Sequence, residues 1–369
     1  MNKKEMTAGW RQLAAAMLLT PLLAFCSSGP DGAAPAATAQ ADSIEKTTLA
    51  AAALSAPATI LINELLAHTD EPQVDAVELH NPTPTAVDLA GWCLSDDQGQ
   101  PDKFCLKKST VIPAGGYLFY TAGDFSFGLS EFGEVIYLFA PTPAGLQQVD
   151  GVTFGVSPNG VSLGRHVNSA GAVHFPLQSQ VTLGAANAGP LVPPAVISEL
   201  MVQPAQGPEY LVISNSSGEP VRLYDPAQPR NRWLVAGIGN NNGDYELPEP
   251  ITLRPGESIV LSADPSAFAA TYPQRSLRIF GPFPGKLDNE GERIALQAPQ
   301  PPETNGDVAY ADFDVVEYGK TAPWPAAINE GQPLLRLNLR SYGNDPANWW
   351  TGVDTATLQP VLMLPFLAR

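Results

Sequence analysis

Six stretches in the first half of this 369-residue chain recur, in the same order, in the second half. A repeat of this kind constrains a fold strongly, because each copy must build the same supersecondary unit from the same pattern. Ile60-Leu61-Ile62-Asn63-Glu64-Leu65 is answered by Val196-Ile197-Ser198-Glu199-Leu200, and Val77-Glu78-Leu79-His80-Asn81-Pro82 by Leu211-Val212-Ile213-Ser214-Asn215-Ser216. Ile112-Pro113-Ala114-Gly115 returns as Leu253-Arg254-Pro255-Gly256, and Gly133-Glu134-Val135-Ile136-Tyr137-Leu138 as Gly291-Glu292-Arg293-Ile294-Ala295-Leu296. Phe154-Gly155 pairs with Tyr318-Gly319, and Ser162-Leu163-Gly164-Arg165 with Pro333-Leu334-Leu335-Arg336. The offset grows from 135 at Glu64 to 141 at Gly115, 158 at Gly133 and 171 at Arg165. Matched elements with lengthened loops between them are the expected result of duplication followed by loop insertion. The modules are placed at 58–190 and 194–351, with Pro190, Pro193 and Pro194 as a short, stiff junction.

Within each module, short runs of Val, Ile, Leu, Tyr and Phe are interrupted by Gly, Pro, Asn and Asp; the whole chain holds 37 Pro and 32 Gly. No long stretch carries an apolar period of 3.6. The reading is therefore all-β, with strands in the first module at 60–65, 77–81, 87–89, 92–94, 116–121, 135–139, 149–154 and 161–165. Two antiparallel sheets burying alternate side chains between them satisfy such a pattern.

The residues themselves resemble a known family. Ile62-Asn63-Glu64, Glu78-Leu79-His80-Asn81-Pro82, Val87-Asp88-Leu89-Ala90-Gly91-Trp92, Leu94-Ser95-Asp96-Asp97, Ile112-Pro113-Ala114-Gly115-Gly116-Tyr117, Ser162-Leu163-Gly164-Arg165 and the closing Leu183-Gly184-Ala185-Ala186-Asn187 resemble the bacterial lamin tail domain. The likeness continues more loosely through Leu287-Asp288-Asn289-Glu290-Gly291-Glu292, Trp324-Pro325 and Asn344-Asp345-Pro346-Ala347-Asn348-Trp349. It implies two tandem immunoglobulin-like antiparallel β-sandwiches. Nuclear lamins also have a heptad-patterned rod and a prenylation motif, and neither is present, so the fold is carried over and the nuclear role is not.

The N-terminus sets the compartment. Lys3, Lys4 and Arg11 precede an apolar run over 13–25 that is too short to span a bilayer, the layout of a signal peptide. The run closes in Leu23-Ala24-Phe25-Cys26, which resembles a lipobox with Phe25 as a departure. On this reading 1–26 is the leader, Cys26 the lipidated residue and 27–57 an Ala/Pro/Ser tether; the alternative is plain secretion with cleavage after Ala41. Either way the mature protein is expected outside the cytoplasm, lipid-anchored at a bacterial outer membrane or cell surface, or secreted. Any membrane contact runs through the N-terminal lipid alone. The net charge of −17 disfavours nucleic acid as a partner. Cys93 and Cys105 flank the turn-forming stretch from Ser95 to Asp102, so two strands joined there would lie side by side. A cross-strand disulfide is expected in an oxidising compartment, and two buried thiols are the alternative.

Residues able to do chemistry are few. His68, His80, His166 and His174 form no HExxH pair; His166 and His174 can approach across a hairpin, where packing is the expected role rather than zinc. No GxSxG is present. Gly237-Ile238-Gly239-Asn240-Asn241-Asn242-Gly243 lacks the Lys of a phosphate loop and reads as a hairpin loop. Asp96, Asp97 and Asp102 are weak calcium candidates, as are Asp70-Glu71 with Asp75 and Asn240-Asn241-Asn242 with Asp244, against the reading that turns select Asp and Asn for their own backbone bonding. Glu64 and Glu199 recur at one place in the two modules and are read as strand-end carboxylates bonding nearby backbone.

Trp92, Trp233, Trp324, Trp349, Trp350, Tyr117 and Tyr120 are read first as core. Trp349 and Trp350 point to opposite faces of a strand, so one of the two is expected to be exposed, and the pair supplies the candidate ligand contact. The apolar run 361–367 in the tail 352–369 is too short to cross a membrane. No cofactor is called for. Three functions remain: a non-catalytic surface module binding a protein or glycan, a carbohydrate-binding adhesin, and a hydrolase with an unrecognised metal-dependent site. The first is preferred, with no enzyme activity expected.

Overall fold

The computed structural model describes residues 60–352, apart from 240, 242, 304, 305, 327, 329 and 330. The leader with Cys26, the tether and the tail from 353 onward lie outside the described residues. In the N-terminal half the strands are β1 (Leu61–Leu66), β2 (Ala76–His80), β3 (Val87–Asp88), β4 (Cys93–Ser95), β5 (Phe104–Cys105), β6 (Val111–Ile112), β7 (Tyr117–Thr121), β8 (Glu134–Thr142), β9 (Gly145–Phe154) and β10 (Leu163–Gly164). One sheet is ordered β10-β1-β2-β7 and another β5-β4-β8-β9, with β3 paired to β6. Ile62, Leu65, Val77 and Leu79 from the first sheet meet Leu94, Ile136, Leu138 and Val152 from the second in one buried core. Every pairing is antiparallel, the immunoglobulin-like sandwich that the residue pattern calls for.

A hairpin, β11 (His166–Val167) and β12 (Val173–His174), leads into the C-terminal half. There follow β13 (Ala195–Met201), β14 (Tyr210–Asn215), β15 (Val221–Arg222), β16 (Leu234–Ala236), β17 (Asp244–Glu246), β18 (Thr252–Leu253), β19 (Ser258–Ser262), α1 (Pro265–Thr271), β20 (Arg278–Phe280), β21 (Gly291–Pro299), β22 (Tyr310–Gly319), β23 (Leu334–Arg336) and β24 (Trp349–Thr351). The sheets run β20-β19-β14-β13-β23-β24 and β17-β16-β21-β22, with β15 paired to β18. Strand for strand this is the path of the N-terminal half, with α1, β20 and β24 added. A second core holds Ile197, Leu200, Leu211, Ile213, Val235, Ile294 and Leu296, and Phe313 packs against both cores.

The first strand of each half shows how the local sequence places polar groups. Ile62 and Leu65 both face the core although they are three residues apart, and so do Ile197 and Leu200. A strand turns alternate residues inward, so a spacing of three requires one extra residue. The register slips between Ile62 and Glu64, and between Ile197 and Glu199, and each slip turns a glutamate to the outer face. The backbone N–H of Ile62 donates to Asp150 and that of Ile197 to Asp314, each at 2.8 Å. Arg165 and Arg336 donate to the carbonyls of the same two isoleucines and pair with the same two aspartates.

Turn residues match as closely. Asn81 and Asn215 each donate to three backbone carbonyls after the second strand, and each accepts from the N–H and hydroxyl two residues on. Gly133 and Gly291 have φ of 91° and 120°. A Cβ there would lie 2.4 Å from the Phe154 carbonyl oxygen and 2.5 Å from that of Tyr318, so both positions exclude a side chain.

Several elements depart from the sequence expectation. β5, β6, β11 and β12 are two-residue strands, too short to carry a pattern. The growth in offset from 141 to 158 is not a plain loop: it holds α1 and β20. Asp264 caps α1 by accepting from Ala267 N–H, and Pro265 stands in its first turn. Seven residues are fewer than two turns, so no apolar stripe announces them.

Candidate functional site

The outer face of the β10-β1-β2-β7 sheet carries two fully buried carboxylates side by side, Glu64 and Glu78, paired across β1 and β2. They are covered by the segment that follows the β11–β12 hairpin. Glu64 accepts from the Thr182 N–H at 3.0 Å and hydroxyl at 2.9 Å, and from the Ser162 hydroxyl. Glu78 accepts from the Gly184 N–H and, at 2.8 Å, from Asn63 Nδ2. Asn187 Oδ1 accepts from Asn63 Nδ2 at 2.7 Å, and its own Nδ2 donates to the Arg165 carbonyl at 3.0 Å. Burial holds Glu78 above the usual carboxylate range, with the neighbouring Glu64 adding to the shift against the hydrogen bonds that oppose it.

Beside this cover the sheet ends in an open edge. Asn81 N–H donates to the Gly116 carbonyl and Ala122 N–H to that of Asp75, which sets Leu118 and Tyr120 as the residues bonded to β2. Tyr117 and Phe119 therefore turn their backbone N–H and C=O outward, away from β2. Among the described residues no strand pairs with that side of β7. Phe119 is 41% exposed, and the Tyr117 ring stacks on His80 at 4.4 Å and 9°. Burial, with a contribution from Arg165, lowers the pKa of His80.

The corresponding edge in the C-terminal half is closed. β20 runs parallel to β19, with Val260 opposite Ile279. Val260, the counterpart of Phe119, is fully buried among Met201, Tyr210, Val212, Phe268 and Tyr272. The two halves thus differ at this edge: α1 and β20 cover it in one, and no described strand pairs with it in the other.

The residues singled out from the sequence fall as follows. Cys93 and Cys105 face each other across β4 and β5, Cα atoms 4.1 Å apart, and form a disulfide. Trp350 is 41% exposed, but Trp349 is core: its indole lies against Trp324 and donates to the Gly343 carbonyl at 2.8 Å. Of the proposed contact pair only Trp350 can meet a ligand. Asp96 pairs with Lys103 at 2.6 Å, Asp97 accepts from the Gly99 N–H and Gln100, and Asp102 is exposed, so the acidic turn spends its oxygens on itself. No three His, Cys, Asp or Glu side chains come together as a metal site among the described residues.

His68 sits between two acceptors, the Ser157 carbonyl at 2.8 Å and Glu131 at 3.0 Å. The glycine-rich run falls in the chain between β16 and β17, which pair antiparallel. Glu64 does bond backbone, at Thr182. Glu199 instead grips Arg275 through both oxygens and accepts from the Tyr210 hydroxyl. The β7 edge was missed in the sequence, because its openness depends on what fails to cover it.

Residues 53–155 match the family model of the Lamin Tail Domain. No curated protein sequence matches the chain. A crystal structure of a DUF4876 family protein from Bacteroides thetaiotaomicron is similar at 11% identity, over 80% of this chain and 92% of that one. Its TM-score of 0.25 is too low to carry an inference about fold. The N-terminal sandwich thus carries a lamin tail domain over residues 53–155.

Proposed function

We propose that this is a non-catalytic binding or scaffolding protein that receives an extended polypeptide strand on β7 of its lamin tail domain. The observation that carries the reading is the contrast between Phe119 and Val260. The same register position is flanked by β20 and buried beneath α1 in one half, and in the other it lies on an edge with no described partner strand and is 41% exposed. A free edge with outward N–H and C=O groups and an exposed aromatic is the receptor in strand addition: backbone bonds give affinity, and alternate side chains give specificity. The second half is taken as a diverged second copy of the domain, supported by the matched strand order, bulges and Asp–Arg pairs. Export and anchoring through Cys26 at a bacterial surface complete the reading, and the Cys93–Cys105 disulfide favours an oxidising compartment.

The test uses a photoreactive residue in place of Phe119 in cells carrying the full chain, with the same residue in place of Val260 as control. Protein adducts are expected at 119 and not at 260. Phe119→Pro should abolish binding, since it removes an outward N–H and leaves the bonds to β2 in place. Adducts that form equally at both positions, or binding that survives Phe119→Pro, would refute strand addition. A second reading, glycan contact, has one observation in its favour, the exposed Trp350 indole. Glycan binding lost in Trp350→Ala but kept in Phe119→Pro would select it.

A further inference from the structure

Besides Phe313, which packs against both cores, the two sandwiches meet where the β11–β12 hairpin packs on residues 342–347. Asn168 Nδ2 donates to the Asn344 carbonyl at 3.1 Å, and the Ser169 hydroxyl bonds Asp345. The Tyr342 ring stands edge-on to His166 at 5.0 Å and to His174 at 6.2 Å. His174 lies at the centre, its Nδ1 3.1 Å from Asn344 Nδ2 and its Nε2 3.2 Å from Asn168 Nδ2.

Which end of each amide faces the imidazole is decided by backbone. Asn344 Oδ1 accepts from the Glu317 N–H at 2.9 Å. Asn168 Oδ1 accepts from the N–H groups of Ala170 and Ala172, each at 3.0 Å. Both oxygens are therefore committed elsewhere, and both NH2 groups point at His174, one from each half of the molecule. A neutral imidazole can accept from one of them. An imidazolium has a proton on each nitrogen and can accept from neither, so it would press two N–H groups against two N–H groups.

We propose that this joint is a proton-sensitive hinge: neutral His174 accepts from Asn344 and holds the two sandwiches in one arrangement, and a proton taken up by His174 breaks that contact and lets them reorient. The groups facing His174 from the packed elements are Glu317 and Asp345, which favour its charge, and Arg293 and the cross-strand His166, which oppose it. Burial opposes the charge most, and His174 and His166 both have their pKa lowered. For a base whose folded pKa lies below its unfolded value, the folded contact is favoured above the unfolded pKa of about 6.5 and weakens as pH falls through and below it. The hinge therefore opens on acidification.

The experiment is a distance measurement by pulsed electron resonance on the full chain with Cys26→Ser, spin-labelled at the exposed positions Val111→Cys and Glu249→Cys, at pH 7.5 and 5.0. A single narrow distribution is expected at pH 7.5, and a broadened or displaced one at pH 5.0. His174→Gln keeps an acceptor for Asn344 and removes the proton site, so its distribution should be alike at both pH values; His166→Gln should still respond. A distribution unchanged by pH in the parent chain, or a shift that persists in His174→Gln, overturns the proposal. If His174→Gln fails to fold, the titration of His174 in the parent chain, followed by NMR, decides: a midpoint at or above about 6.5 overturns it, and one below supports it.

Discussion

Glu64 and Glu199 stand one step beyond the same bulge in the two sheets, yet one holds a peptide backbone and the other an arginine. The Glu199–Arg275 pair is nearly sealed, with side chains 6% and 10% exposed, and burial together with Glu199 holds the Tyr210 phenol far above its usual range. Removing one partner of a buried pair strands the other charge, at a cost of about 3–5 kcal/mol. Arg275→Ala should destabilise the C-terminal sandwich by that amount in chemical denaturation. Glu64→Gln keeps an acceptor for Thr182 and should cost about 1–3 kcal/mol. Equal losses would mean that the two glutamates do the same work.

The aspartates that lock the first strands differ in depth. Asp314 and Arg336 have side chains 3% and 0% exposed, against 14% each for Asp150 and Arg165. Both Asp314 oxygens are used by one guanidinium nitrogen, and the carboxyl is pushed up by desolvation against the pull of Arg336. Asp314→Ala should cost about 3–5 kcal/mol, because Arg336 is left buried and unpaired, and Asp150→Ala distinctly less, because water reaches Arg165. Thermal unfolding of the two variants ranks them; the reverse order would show that depth is not what sets the cost.

What could be read from residue order is what depends on short spacings. The sandwich follows from runs such as Val77 to Asn81, and the pairing of Cys93 with Cys105 from a sequence separation of only 12. Asn81 and Asn215 could be matched by position, but their role emerges only with three carbonyls around each. Arg275 lies 76 residues from Glu199, and Asn344 lies 170 from His174, so no local pattern points from one to the other. The openness of Phe119 is harder still, since it depends on an insertion that this half does not have. α1 was hidden by its length, and its insertion site was visible only as a change in offset.

The disulfide closes a small loop between two-strand partners at the edge of the second sheet. A closed loop of this size restricts the unfolded chain by about 3 kcal/mol on the chain-entropy account. The double variant Cys93→Ala/Cys105→Ala should therefore lower the stability of the N-terminal sandwich by about 2–3 kcal/mol, and a reducing agent should do the same to the parent chain. Hydrogen exchange of β4 and β8 amides would register the change. No loss of protection in either would place the stability of the lamin tail domain entirely in its core.

Glu78 makes the same domain sensitive to rising pH. Its carboxyl is raised by burial, with Glu64 beside it adding to the shift, while Asn63 and the Gly184 N–H pull the other way. An acid whose folded pKa exceeds its unfolded value binds the proton more tightly when folded. Stability from that proton is fully present below the ordinary glutamate value of 4.5 and is lost as pH rises through the elevated pKa. The N-terminal sandwich should thus weaken between pH 4.5 and the point where Glu78 ionises, and Glu78→Gln, which has no proton to lose, should flatten that part of the profile. The comparison is best made as the difference between parent and variant in exchange of β1 and β2 amides, because the histidines with lowered pKa act in the opposite sense. A difference that stays constant with pH would mean that Glu78 ionises alike in the folded and unfolded chain, and that the cover from Thr182 to Asn187 rests on hydrogen bonds alone.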